Sequence, residues 1–137
     1  DVAWARAKAC GVALYGALDI KREDHERRQS QWQSNYRFFD APVGLIFYMK
    51  KTFPDASLFD AGIFLSHIML AAETYGVATC PQMSMGNYPD VVRKQLNLPD
   101  DEGIICGMSM GFADNAHPVN QYCTVRDKFD ELVEWFN

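Results

Sequence analysis

The sequence predicts an α+β domain, a sheet with helices on its faces. Val43 to Met49 is an unbroken apolar run whose Val, Ile, Phe and Tyr content favours a buried strand, and Ile104 to Phe112 is a second such run. Apolar residues at helical spacing mark Val2 to Leu18 and Phe59 to Tyr75. The helices and strands do not alternate as regular βαβ units. At 137 residues the chain is long enough for one domain, expected to span residues 1–137.

Ala3, Ala7, Cys10, Leu14 and Leu18 form one apolar face of the first helix. Lys21 to Asn35 is charged and reads as an exposed helix, with Glu23 and Arg27 available as an i,i+4 pair. Near its end stand Trp32, Tyr36, Phe38 and Phe39. They are either the aromatic edge that seats the helix on the core or a lid over a ligand. Asp40-Ala41-Pro42 is a turn signal before the first strand, and Thr52 to Asp55 is a loop after it. Ser57 is the candidate N-cap of the long helix, with Asp60 three residues on, and Gly76 stands where a left-handed residue ends a helix. This helix is apolar nearly all round, so it is expected to be buried on all sides, one side under a dimer partner. His67 in its middle is either a core or interface histidine or a catalyst.

Val77 to Cys80 reads as a short strand broken by Pro81, and Gln82 to Gly86 as a loop. Pro89 to Leu96 is a short helix, with Asn87 or Tyr88 near its start and Pro99 after its end. Gly107 and Gly111 in the last apolar run suggest close approach of another backbone or a planar ligand. From Ala113 the chain is expected to be extended, closing on Phe129, Leu132, Val133, Trp135 and Phe136, which need something to pack on.

Composition narrows the function. Apolar residues make up 48% and charged residues 23%, ordinary for a globular protein. A net charge of −5 argues against binding nucleic acid through phosphate neutralisation. The longest apolar candidate, Ala61 to Ala72, is interrupted by Ser66 and His67 and falls short of a membrane span. No signal-peptide pattern follows Asp1. Cys10, Cys80, Cys106 and Cys123 have no metal-like or CxxC spacing, and His25, His67 and His117 add none. The expectation is reduced thiols in a cytoplasmic protein without a metal site. No P-loop, GxGxxG, GxSxG or HExxH motif is present. The residues alone offer a Pro-Gln loop at a strand end, a Gly-rich strand and Arg126 in a late tail, the parts of a cofactor pocket.

Three blocks occur in order: Phe38-Phe39-Asp40-Ala41-Pro42-Val43; Asp60-Ala61-Gly62 through Met69-Leu70-Ala71-Ala72 and Gly76-Val77-Ala78-Thr79-Cys80-Pro81-Gln82 to Tyr88-Pro89; and Leu98-Pro99-Asp100 through Cys106-Gly107-Met108-Ser109-Met110-Gly111 to Thr124-Val125-Arg126. Together they resemble the C-terminal part of the nitroreductase family, in its nitrobenzoate-reductase-like branch. The resemblance implies the family's α+β fold, a homodimer interlocked through the Phe59–Tyr75 helix, and FMN at the dimer interface. It implies reduction by NAD(P)H and then of a small nitroaromatic or quinone-like acceptor, in a ping-pong cycle. Carried over by position, Pro81, Gln82, Met83 and Ser84 match the loop against the isoalloxazine ring. Arg126, with Lys128 near it, matches the basic contact to the FMN phosphate, as its planar fork suits a phosphate; the other reading of Arg126 is a surface pair with Glu131 or Asp130. Trp32, Tyr36 and Phe38 fall on the substrate side.

Family members also carry an N-terminal segment with an Arg-Ser-x-Arg type motif that contacts the FMN phosphate and ribityl chain. Arg27-Arg28-Gln29-Ser30 has that composition but not its order or position. The expectation is an N-terminally incomplete domain with weakened FMN binding and bare apolar surface. The alternative function is a truncated, flavin-free dimeric fragment or binding module without activity of its own. The same scaffold also hosts other flavin reactions, such as reductive dehalogenation or flavin destruction.

Overall fold

The computed structural model describes residues 2–136, which fall into two compact units, one of residues 2–28 with 114–136 and one of Gln29–Ala113. In the first unit, α1 (Val2–Ala17) runs nearly the length expected from its spacing. None of its residues is fully buried; of the apolar face read from the sequence, Leu14 and Leu18 are half-buried and Ala3, Ala7 and Cys10 exposed. The Arg28 guanidinium lies 4.4 Å from the centre of the Tyr15 ring, and Arg6 pairs with Asp127 of the tail at 2.6 Å. The charged segment is helical only over α2 (His25–Gln33), because Asp24 caps the Lys21 N–H in a turn at 2.9 Å. Glu23 therefore lies outside the helix. Arg27 meets Asp24 instead, at 3.7 Å, and donates to the carbonyls of Leu18 and Asp19. In the tail a 3-10 turn, Pro118–Asn120, and a short α5 (Phe129–Leu132) interrupt the extended chain. Phe129, Leu132, Trp135 and Phe136 are exposed rather than packed.

The second unit holds a three-stranded antiparallel sheet of β1 (Val43–Lys50), β2 (Ala78–Gln82) and β3 (Glu102–Gly111), in the order β1-β3-β2. β3 lies between the other two, which is why it is the best buried; Met108 has no exposed surface and Cys106 almost none. Register sets Leu45 opposite Met108 and Phe47 opposite Cys106, so these four side chains share one face. On that face α3 (Ala56–Thr74) packs, with Phe64 edge-on to Phe47 at 6.4 Å between ring centres. The other face carries Gly44 and Gly107, where the ring of Phe38 and the side chain of Met85 lie.

Several expectations change here, among them the cap of α3 and the end of β2. Ser57 lies inside α3, and Asp55 stands at the N-cap without a side-chain hydrogen bond, so the capping box does not form. Gly76 does adopt the left-handed conformation, at φ 68°. β2 continues through Pro81 to Gln82, since an edge strand tolerates a residue with no N–H to donate. Within the chain α3 is not buried all round: Ala72 alone is buried, while Phe59 is 73% and Tyr75 80% exposed. His67 is exposed as well, so it is not a core residue of this chain. By length and composition α3 is also the one helix among the described residues that could cross a membrane. Ala61 to Ala72 alone is too short to span, but α3 extends beyond it at both ends, and a span tolerates a few polar residues such as Asp60 and Ser66. A core or interface helix passes the same test of length and composition.

Candidate functional site

The 3-10 segment Ser34–Asp40 turns the chain from α2 into β1. Phe38, Phe39 and Asp40 all have positive φ, at 54°, 52° and 58°, a left-handed run that non-glycine residues rarely adopt. It replaces the simple Asp40-Ala41-Pro42 turn expected from the sequence. The run tips the Phe38 ring into a hollow formed where two residues have no side chain. A Cβ on Gly44 would lie 2.7 Å from that ring, and one on Gly107 would lie 3.3 Å from it and 2.7 Å from Met85 Cγ. The close approach expected at Gly107 is real, but the planar group there is the protein's own phenylalanine.

Beside Phe38 opens a cavity of about 510 Å³, within the usual range for small-molecule sites. Trp32, Tyr36 and Phe38, the three residues assigned to the substrate side, all line it. Trp32 meets Tyr36 edge-on at 5.0 Å and Tyr36 meets Tyr88 edge-on at 5.5 Å, so the rings brace one another. The Tyr36 hydroxyl is buried near Asn87 and Tyr88 without a hydrogen bond of good geometry, and burial raises its pKa. Ile46 and Met85 also line the cavity, and α4 (Pro89–Leu96) closes it with Val91, Val92, Gln95 and Leu96. Sequence reasoning did not place Tyr88 or the α4 residues here. The spacing of Val92 and Leu96 marks an apolar helix face but not what it faces. Buried Arg93 fixes α4 by donating to the Glu102 carbonyl at 3.0 Å and pairing with Asp90.

The Pro81–Ser84 segment lies at the end of β2 and the start of a 3-10 turn, Met83–Asn87. Pro81 and Met83 are exposed, while Gln82 is 2% exposed. Gln82 Nε2 donates to the Asn35 carbonyl at 2.7 Å and so ties this segment to the aromatic wall. Gln82 Oε1 and Ser84 Oγ are buried with no partner. An unpaired buried polar atom costs about 1–3 kcal/mol, so these two, on residues two apart in sequence, mark a segment where a polar partner would fit.

Arg126 and Lys128 belong to the other unit, and both are exposed. Among the described residues Arg126 pairs with no carboxylate. Its guanidinium turns onto Thr124 and Val125 of its own strand of chain, so the pair with Glu131 or Asp130 does not form. Glu131 instead accepts from the Lys128 backbone N–H at 3.4 Å. The four cysteines are free, and no group of His, Cys, Asp and Glu among the described residues could hold a metal ion.

Comparison with known proteins supplies the context of this arrangement. Residues 5–112 match the nitroreductase family. The chain is 44% identical over 120 residues to the nitrobenzene nitroreductase of Ectopseudomonas oleovorans, covering 88% of this chain and 53% of that protein. It is 46% identical over 112 residues to the chloronitrobenzene nitroreductase of Comamonas testosteroni, covering 82% of this chain and 49% of that one. The chain thus spans about half the length of the curated relatives it matches. The crystal structure of the FMN and NADPH-dependent nitroreductase NfnB from Sphigopyxis sp. strain HMH superposes on all of this chain with a TM-score of 0.96, at 36% identity over 61% of its own chain. The ordered sequence blocks, the β1-β3-β2 sheet and the family match over most of the chain agree: this protein belongs to the nitroreductase family.

Proposed function

We propose that the chain is the part of an FMN-dependent NAD(P)H oxidoreductase that holds one edge of the flavin and the acceptor cavity, in the nitrobenzoate-reductase-like branch of the family. The observation that carries this reading is the pair of unpartnered buried atoms, Gln82 Oε1 and Ser84 Oγ, in the Pro81–Ser84 segment. The pyrimidine edge of an isoalloxazine ring carries both an N–H donor and carbonyl acceptors, so its chemistry fits an amide oxygen and a hydroxyl. Exposed Pro81 and Met83 offer apolar surface beside them. The family resemblance, not the placement of the two units, assigns the FMN phosphate to Arg126 with Lys128 adding charge; Arg126 is exposed and has no carboxylate partner among the described residues.

When bound, FMN supplies the two-electron chemistry between NAD(P)H and a nitroaromatic or quinone-like acceptor. The chain's own part is to orient and to exclude water. Trp32, Tyr36 and Phe38 present ring edges and faces to a planar acceptor. Gln82 holds the Pro81 segment and the Asn35–Tyr36 wall in register. The exposed apolar side of α3, with Phe59, Phe64 and Leu70, is the surface on which a second copy would dock. Four free cysteines and a nicotinamide donor support a cytoplasmic location.

The test is an absorbance spectrum of the chain after incubation with FMN and desalting. Flavin retained at a fraction of one per chain is the expected result, since the chain spans about half the length of its curated relatives, and Arg126→Ala should weaken retention further, by roughly ten- to a hundredfold. A chain that stays colourless at saturating FMN overturns the reading.

A further inference from the structure

The walls of the cavity carry a preference about charge. They are built of four aromatic rings, five apolar side chains and two amides, those of Gln33 and Gln95. Of the three cations next in sequence to lining residues, two are already engaged: Arg37 turns to Asp40 and Ser34, and Arg93 to Asp90 and the Glu102 carbonyl. Lys94 follows Arg93 on α4 but is exposed and does not line the cavity. Among the described residues the lining therefore holds no Lys, Arg or His.

From this lining we propose that the cavity takes an uncharged nitroaromatic ring and discriminates against the same ring bearing a carboxylate. The proposal rests on the reading of this cavity as the acceptor side and names the acceptor's class. A neutral ring gains from burial against Val92, Leu96 and Met85, and from edge and face contacts with Trp32, Tyr36 and Tyr88. The Gln33 and Gln95 amides can donate to nitro oxygens without demanding a charge. A carboxylate in the same place gives up water and meets the negative faces of the rings, with no cation to compensate. An acid can escape only by keeping its carboxylate at the mouth, which sacrifices ring burial.

The experiment is calorimetric titration of the whole chain at neutral pH with nitrobenzene and with 4-nitrobenzoate. It needs no flavin, so it is separate from the FMN retention test, and either reading can fail without the other. Saturable nitrobenzene binding is expected, with 4-nitrobenzoate at least about tenfold weaker. Gln95→Lys places a cation in the lining from a surface position of α4. It should raise 4-nitrobenzoate affinity at least about tenfold and leave nitrobenzene nearly unchanged. Val92→Trp fills the cavity and should abolish nitrobenzene binding. The proposal is overturned by equal affinity for the two compounds, by no nitrobenzene binding, or by a Gln95→Lys chain that shows no gain for the acid.

Discussion

Gly44→Ala tests whether the Phe38 ring is what the glycine hollow is for. The added Cβ would stand 2.7 Å from Phe38 Cδ2 and Cε2 and 2.8 Å from Cγ. Carbon atoms prefer a separation of about 3.5–4.0 Å, so the ring must move by roughly 1 Å. It has little room to do so. A Cβ on Gly107 would already lie 3.3 Å from its far side, and its backbone is held in the left-handed run. Overpacking of this kind costs about 1–3 kcal/mol. With a urea dependence of about 1–3 kcal/mol per molar, that is a fall in midpoint on the order of 1 M at unchanged slope. In a Phe38→Ala background the clash is gone, and the same Gly44→Ala change should be neutral or stabilising by about 0.5–1 kcal/mol, since alanine restricts the unfolded chain. The assay is a double-mutant cycle by urea unfolding, with an expected coupling above about 1 kcal/mol. If Gly44→Ala costs the same in both backgrounds, the ring is not held by the hollow and the argument fails.

Asp40→Gly should raise rather than lower the thermal midpoint, because the Asp40 side chain is 76% exposed and its left-handed backbone costs about 1 kcal/mol that glycine does not incur; a lower midpoint in a melting curve counts against strain there. Lys50, raised to about 12 by its bonds to Asp101 and Glu102, and Asp101, lowered by Lys50, tie the end of β1 to the turn before β3. The sign follows from the two shifts. The Asp101 contribution is present above its unfolded pKa of about 3.9 and is lost as pH falls through its lower folded value; that of Lys50 is full below about 10.4 and is lost as pH rises through its higher one. The stability difference between the parent and Lys50→Met should therefore be flat near neutrality and shrink at both extremes, measured by unfolding across pH. Cys106, buried and with its thiol pKa raised by burial, should be the last cysteine alkylated by iodoacetamide, well after exposed Cys10 and Cys123, as read by mass spectrometry over time.

Much of this architecture was legible because it is local. Pro89 to Leu96 forms the helix its prolines delimit, and Gly76 takes the left-handed turn its position requires. What escaped depends on distant partners. Pro81 reads as a strand breaker until the strand is known to lie at a sheet edge, a property of topology and not of the segment. The left-handed run at Phe38, Phe39 and Asp40 goes against local preference at each of its residues, so no propensity announces it. It is held by contacts to Gly44 and Gly107, the latter far along the chain. The site follows the same division. Trp32 and Tyr36, four apart, could be grouped by eye, whereas Tyr88 and the α4 face join them only once β3 brings the segments together. The unpartnered Gln82 oxygen is a fact of packing, invisible in a string of letters.

The order β1-β3-β2 gives the described sheet two rims of unequal character. The β2 rim is five residues long and contains a proline, so a further strand would find few amides in a row to pair with. The β1 rim is eight residues long, and Lys50 closes its far end, followed by Lys51. Growth by strand addition is therefore one-sided. A foreign strand would have to align along β1, where lysine charge at one end and the bulge between Phe47 and Tyr48 interrupt a flat register. Misassembly of this protein should thus begin at Val43 to Phe47, the uncharged and bulge-free part of that rim, and a single charge there should suppress it.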